Sequence, residues 1–162
     1  MSSSRRKPLR AANVPDLTRS SIPNSSGSVS DARLRAHVAI LAGEIGERNF
    51  IRPARLHAAA DYIRREWTAM GYCVASQIYQ AAGVPSENLE VTRTGRSRPS
   101  EIVLVGAHYD SVQGSPGADD NASGVAALLE ISRALAQRTP ECSVRFVAFV
   151  NEEPPFSIGV RW

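Results

Sequence analysis

An α/β domain with a partly parallel sheet is what this 162-residue sequence predicts, and three observations carry the prediction. Two short runs, Ile102–Gly106 and Val144–Val150, are almost continuously apolar, as strands covered on both faces are. A stretch of helical periodicity lies between them, and strand, loop, helix, strand in that order is the pattern of a parallel crossover. Upstream, two further stretches repeat apolar residues every three or four positions, as amphipathic helices do.

The elements follow in chain order. Residues 1–29 are rich in Ser, Pro, Arg and Asn without apolar periodicity and read as a flexible basic tail. A first helix is expected from Ser30 or Asp31, either of which suits a helix cap, with Leu34, Val38, Leu41 and Ile45 on its apolar face. A second follows Pro53, buries Leu56, Ala60, Ile63, Trp67 and Met70, and stops at Gly71. Strands are expected at Tyr72–Ile78 and Leu89–Thr94, joined by a loop rich in Gly, Pro and Ser. After the strand at 102–106, a glycine- and aspartate-rich loop (111–122) leads into a helix from Ser123, whose Val125, Leu128, Leu129, Ile131 and Leu135 are available for packing. Pro140 lies beyond it, and the strand at 144–150 closes the pattern.

Composition narrows the function classes. With 43% hydrophobic and 22% charged residues the chain suits a globular domain. No run approaches the ~18 consecutive apolar residues of a membrane helix, so no membrane association is expected. The basic N-terminus has no apolar run behind it, so it does not read as a secretory signal and a cytoplasmic location is expected. Cys73 and Cys142 stand in no ligand spacing and read as reduced thiols in half-apolar strands. The formal charge of +3 is more than supplied by Arg5, Arg6, Lys7 and Arg10. The remaining arginines alternate with Asp and Glu, as on solvated helix faces, and no nucleic-acid function is read from them.

The chemistry gathers at two strand ends, where open α/β sheets place their sites. The first carries Gly106-Ala-His108-Tyr-Asp110 and then Gly117-Ala-Asp-Asp120-Asn-Ala-Ser-Gly124; the second carries Asn151-Glu152-Glu153-Pro154. Imidazole with carboxylates suits Zn²⁺. His108 and Asp110, two apart on an extended segment, share a face, so Asp110 can accept the spare imidazole N–H. Glu152 and Glu153 diverge, so one can bind metal while the other stays free as a base. Gly117 and Gly124 allow a turn aiming Asp119 or Asp120 back at His108. Each cluster alone has an ordinary reading: a surface His-x-Asp, a helix cap in which Asp120 and Ser123 satisfy backbone amides, a solvated Glu pair. All three in order at successive strand ends argue for a site.

Those motifs resemble the zinc-dependent aminopeptidases of metallopeptidase family twenty-eight, of the bacterial leucyl aminopeptidase and aminopeptidase-S type, over roughly residues 32–156. The resemblance implies a mixed central sheet flanked by helices (the zinc exopeptidase fold), two co-catalytic zinc ions and a peptide substrate with a free N-terminus. It implies that His108 binds one zinc, Asp120 bridges both, Glu153 binds the other, Glu152 is the general base and Asp110 is the partner of His108. It also implies a cis peptide between Asp120 and Asn121.

The family pattern asks for a further Asp and His downstream of the Glu pair, whereas the sequence stops at Trp162, and Ile158–Trp162 does not resemble the family's continuation. The expectation is therefore that residues 30–162 are the N-terminal portion of a zinc peptidase domain, C-terminally truncated. Each zinc then keeps two protein ligands, binds weakly, and leaves the chain inactive alone; the strand at 144–150 loses a neighbour. His37 and His57 are expected to pack or face solvent rather than replace the missing ligand. Two other readings stay open: a non-catalytic remnant or interaction module of the same fold, and a glutaminyl-cyclase-like enzyme. The intact Asp-Asp-Asn and Asn-Glu-Glu motifs favour the peptidase.

Overall fold

The computed structural model describes residues 29–155, so the basic tail up to residue 28 and Ile158–Trp162 lie outside the described residues. Three α-helices pack with a four-stranded mixed sheet. In chain order these are α1 (Asp31–Val38), α2 (Pro53–Ala69), β1 (Ala75–Ala81), β2 (Val84–Arg93), β3 (Arg98–His108), α3 (Gly124–Leu135) and β4 (Cys142–Phe149). α1 runs on into a π-helical turn, Ala39–Ile45, and another, Ala118–Ser123, precedes α3. The sheet order is β1-β2-β4-β3, with β3 and β4 parallel and the other pairs antiparallel.

The partly parallel α/β reading holds, and its departures have physical causes. The loop expected across Gly83–Glu87 is a tight hairpin instead, with Ala81 opposite Val84. Ala82 and Gly83 both adopt positive φ (48° and 78°), the hand that matches strand twist, so Pro85–Glu87 already belong to β2. On α1 the inward face is Arg33 and His37, with Leu34 and Val38 only partly covered, because the facing side chain on α3 is the buried carboxylate Glu130. Arg33 Nε donates to Glu130 Oε2 at 2.9 Å, and the Ser30 amide donates to the same oxygen at 3.3 Å. Ser30 thus stands at the helix start without a side-chain cap; the cap comes across from α3.

α2 buries the expected face except for Met70, which stands just past its end and is only partly covered. Pro53 occupies its first turn, and Leu56, Ala60, Ile63 and Trp67 are buried with Ala59 and Tyr62. Gly71 and Tyr72 donate back to Thr68 and Trp67, closing the last turn. Trp67 Nε1 donates to Ser132 Oγ of α3 at 2.9 Å, so the largest core side chain carries its polar atom to a partner.

The core joins the helices to one face of the sheet through Leu89, Val91, Ala107, Val144, Phe146 and Ala148. β4 has a neighbour on each side; among the described residues β3 forms one edge of the sheet and β1 the other. Ile102, Val103 and Leu104 are each 50% exposed, so the expectation that this run is covered on both faces fails there, and the strand short of a neighbour is β3 rather than β4. Nor are all arginines beyond the tail solvated: Arg33 and Arg48 are buried. Both cysteines are unpaired, Cys73 exposed ahead of β1 and Cys142 at the start of β4.

Candidate metal centre

Parallel pairing brings the two motif-bearing strand ends level. His108 stands opposite Phe149 in the β3–β4 register, and the Tyr109 amide continues the ladder to Phe149 O at 2.8 Å. Asp110 and the Glu pair therefore leave the sheet side by side. Asp110 is 2% exposed, and its carboxylate accepts the amides of Glu152 (3.3 Å) and Glu153 (3.1 Å). One oxygen of Asp110 also lies 3.5 Å from His108 Nδ1, beside the ring but beyond a good hydrogen bond.

Asp120 arrives from the other direction. After Gly117 (φ 57°) the chain turns so tightly that a Cβ there would collide with the Asp120 carbonyl and lie 2.7 Å from Ser111 Cβ. The Asp120–Asn121 peptide is cis, and Asp120 Oδ1 sits 2.8 Å from His108 Nε2. Asn121, rather than Asp120 or Ser123, takes the first free amide of α3: its Oδ1 accepts Gly124 N–H at 2.9 Å. Ser123 instead donates to Asp119 O. Asp119 stays outside the contacts of His108 Nε2, which go to Asp120 (2.8 Å) and Glu152 Oε2 (3.7 Å).

His108, Glu152 and Glu153 each offer one donor atom within 4.8 Å of the others, and Asp120 joins the group through His108. Burial alone would lower the His108 pKa, but Asp110, Glu152 and Asp120 around it raise it to about 9. Burial and the repulsion of Asp120 push Glu153 above its ordinary range. His108 Nδ1 and Glu153 Oε1 are buried without a hydrogen-bond partner. Four carboxylates around one imidazole, with an unsatisfied oxygen among them, fit a divalent cation with nitrogen and oxygen preference.

The other histidines are elsewhere: buried His37 contacts Tyr62 Oη at 2.5 Å through Nδ1, and His57 meets Pro85 O at 2.9 Å on the surface. Sequence reasoning misses the residues that steer the Glu pair. Asn88 Oδ1 accepts the Val150 amide, Tyr79 Oη donates to Val150 O, and Asn151, at φ 61°, donates to Tyr79 Oη. Only Asn151 carried a signal, as a residue type that tolerates positive φ.

Residues 88–157 match Peptidase family M28. An uncharacterised Escherichia coli (strain K12) protein, YfbL, is 35% identical over 143 residues, spanning 83% of this chain and 44% of that protein. The aminopeptidase YwaD of Bacillus subtilis is 51% identical over 53 residues, 33% of this chain and 12% of that one. In structure the chain is similar to BSAP, a zinc aminopeptidase from Bacillus subtilis, with TM-score 0.71 and 14% identity over 77% of this chain and 62% of that chain. It is also similar to the glutaminyl cyclase of Fimbriiglobus ruber, with TM-score 0.65 and 21% identity over 83% and 50% of the two chains. At such identities the two structures show a shared fold. The chain spans less than half the length of YfbL.

Proposed function

We propose that the site is that of a zinc-dependent aminopeptidase of peptidase family M28, the family that residues 88–157 match, acting on peptides with a free N-terminus. The observation that carries the proposal is the meeting of His108, Asp120, Glu152 and Glu153 at the ends of two parallel strands. Residues 30–162 then form the N-terminal portion of the peptidase domain.

In this reading His108, Asp120 and Glu153 would hold the metal. Bound zinc supplies a Lewis acid that polarises the scissile carbonyl and lowers the pKa of water. The side chains do the rest. Glu152, 50% exposed and held toward His108, takes a proton from the attacking water and returns it to the departing amine. Asp110 fixes the backbone that aims both glutamates, with one oxygen beside the His108 ring. The buried position of Asp110 keeps water from competing for those amides.

Among the described residues each of two ions would have two protein donors, one fewer than catalytic zinc sites commonly keep. The 162-residue polypeptide by itself therefore binds zinc weakly and releases no N-terminal residues. The test is to load it with Zn²⁺, measure metal content, and follow aminoacyl-p-nitroanilides. Weak binding abolished by His108→Ala, without turnover, is the expected result. Binding indifferent to His108 and Glu153 would end the metal-site reading. Stoichiometric two-zinc binding with turnover lost in Glu152→Ala would establish the peptidase chemistry and overturn the inactivity.

On the same fold a second reading has this site close an N-terminal glutamine on itself. Ammonia release from a glutaminyl peptide, without release of the residue, would select it.

A further inference from the structure

Arg48 lies between the π-helical turn and α2, is 0% exposed, and among the described residues its guanidinium donates only to backbone carbonyls. Nε donates to Tyr109 O at 2.6 Å, Nη1 to Pro116 O at 2.5 Å, and Nη2 to Gly117 O at 3.0 Å. Nη1 also reaches Gly46 O (3.2 Å) and Leu41 O (3.3 Å) in the turn that precedes it. Burial lowers its pKa to about 10, with Asp110 opposing, so it stays a cation at neutral pH.

The acceptors have a common geography. Tyr109 follows His108 directly, while Pro116 and Gly117 stand just ahead of Asp120. The loop between them is the one that separates the two candidate donors, and Arg48 ties its start to its end. The Arg48 backbone adds to the hold at the loop's start: its amide donates to Ser111 Oγ at 3.1 Å, and the Ser111 amide donates to Arg48 O at 2.9 Å. Gly117 O accepts from the Ala122 amide as well (3.0 Å), which carries the hold into the turn bearing Asp120.

We propose that Arg48 is a positioning residue of the site, holding His108 and Asp120 in register through the carbonyls at both ends of their connecting loop. A planar fork of five donors can serve three chain segments at once; an ammonium on a flexible stem cannot. Without the guanidinium the loop keeps its sequence and loses its fixed span, so the distance from His108 to Asp120 is no longer imposed. The consequence for metal rests on the reading of His108 and Asp120 as donors.

Two readouts separate the claims. In metal-free protein, amide hydrogen exchange at Ala122 and Ser111 reports the loop; zinc affinity, by competition with a chromophoric chelator, reports the site. Arg48→Lys and Arg48→Gln are compared with Trp67→Phe, a core change that lowers global stability far from the loop. Should one Arg48 variant not fold, the other carries the comparison. Either variant is expected to speed exchange at Ala122 and Ser111 at least tenfold beyond the Trp67→Phe control. Zinc affinity falls roughly 10- to 100-fold, the range for residues that orient metal ligands. Arg48 variants matching Trp67→Phe in both exchange and zinc affinity would overturn the proposal, leaving Arg48 a stability residue. Faster exchange in a protein whose parent binds no zinc would uphold Arg48's hold on the loop and remove the metal reading.

Discussion

Asp110, at the end of β3, accepts the backbone amide of Glu153, beyond the end of β4, at 3.1 Å, and its second oxygen takes the amide of Glu152. A single buried carboxylate thereby locks two parallel strand ends to each other. Asp110→Asn would put an amino group against an amide on one side. The expected loss is about 1.5–3 kcal/mol of stability, the range for hydrogen bonds to charged groups. Zinc affinity should fall with it by roughly tenfold or more, since both glutamates lose their aim. Urea unfolding and chelator competition measure the two effects.

Glu152 and Glu153 both lie near His108, so their roles are separable only by substitution. Glu153→Ala should weaken zinc binding by at least roughly tenfold, because it removes a donor and a charge. Glu152→Ala should leave it within about twofold, as befits a base that does not hold the metal. Equal losses from both would reassign Glu152 as a donor.

Acid stability depends on the α1–α3 cluster. Burial alone would raise the Glu130 pKa, but Arg133 and Arg33 bring it down to about 2; burial pushes His37 below its ordinary value against the attraction of Glu130. Tyr62 Oη faces the other nitrogen of His37. Both depressed groups bind more protons unfolded than folded, so stability rises with pH. The Glu130 contribution is complete above its unfolded pKa of 4.5 and disappears as pH falls toward about 2. His37 takes stability away as the pH falls below its unfolded value of 6.5. Glu130→Gln should cost about 3–5 kcal/mol near neutrality and flatten the acid limb. Urea midpoints measured from pH 3 to 8 show whether it does.

Two glycines at the sheet should differ in tolerance. A Cβ on Gly95 would lie 2.5 Å from the Cys142 carbonyl carbon, which is backbone of β4. One on Gly106 would meet the Phe149 ring at 2.5 Å, a side chain able to turn. Gly95→Ala is expected to cost about 1–3 kcal/mol, as overpacking does, and Gly106→Ala less. The reverse order in thermal or urea unfolding would contradict the contact reading.

The legible part of this molecule is the part that repeats or stays contiguous. α2 announced its buried face through Leu56, Ala60, Ile63 and Trp67 because an apolar stripe has a period. The site residues lay in three short motifs, two of them ending strands and the third in the turn before α3. Arg48, Tyr79 and Asn88 were illegible because each acts across 60 or more positions of sequence, through carbonyls and amides that have no residue code. The inward face of α1 was misjudged for a related reason: Arg33 and His37 are buried only because Glu130 waits opposite. A polar core declares itself only as a pair.

The open side of β3 makes protein concentration a structural variable. Its eleven residues include Ile102, Val103 and Leu104 half in solvent, and no strand among the described residues covers that side. A long apolar edge recruits strands from other molecules. Ladder growth there would run toward His108, at the strand's own end, and narrow the approach to the candidate site as the solution becomes more crowded. A lysine in place of Val103 would keep the sheet single without touching a candidate donor.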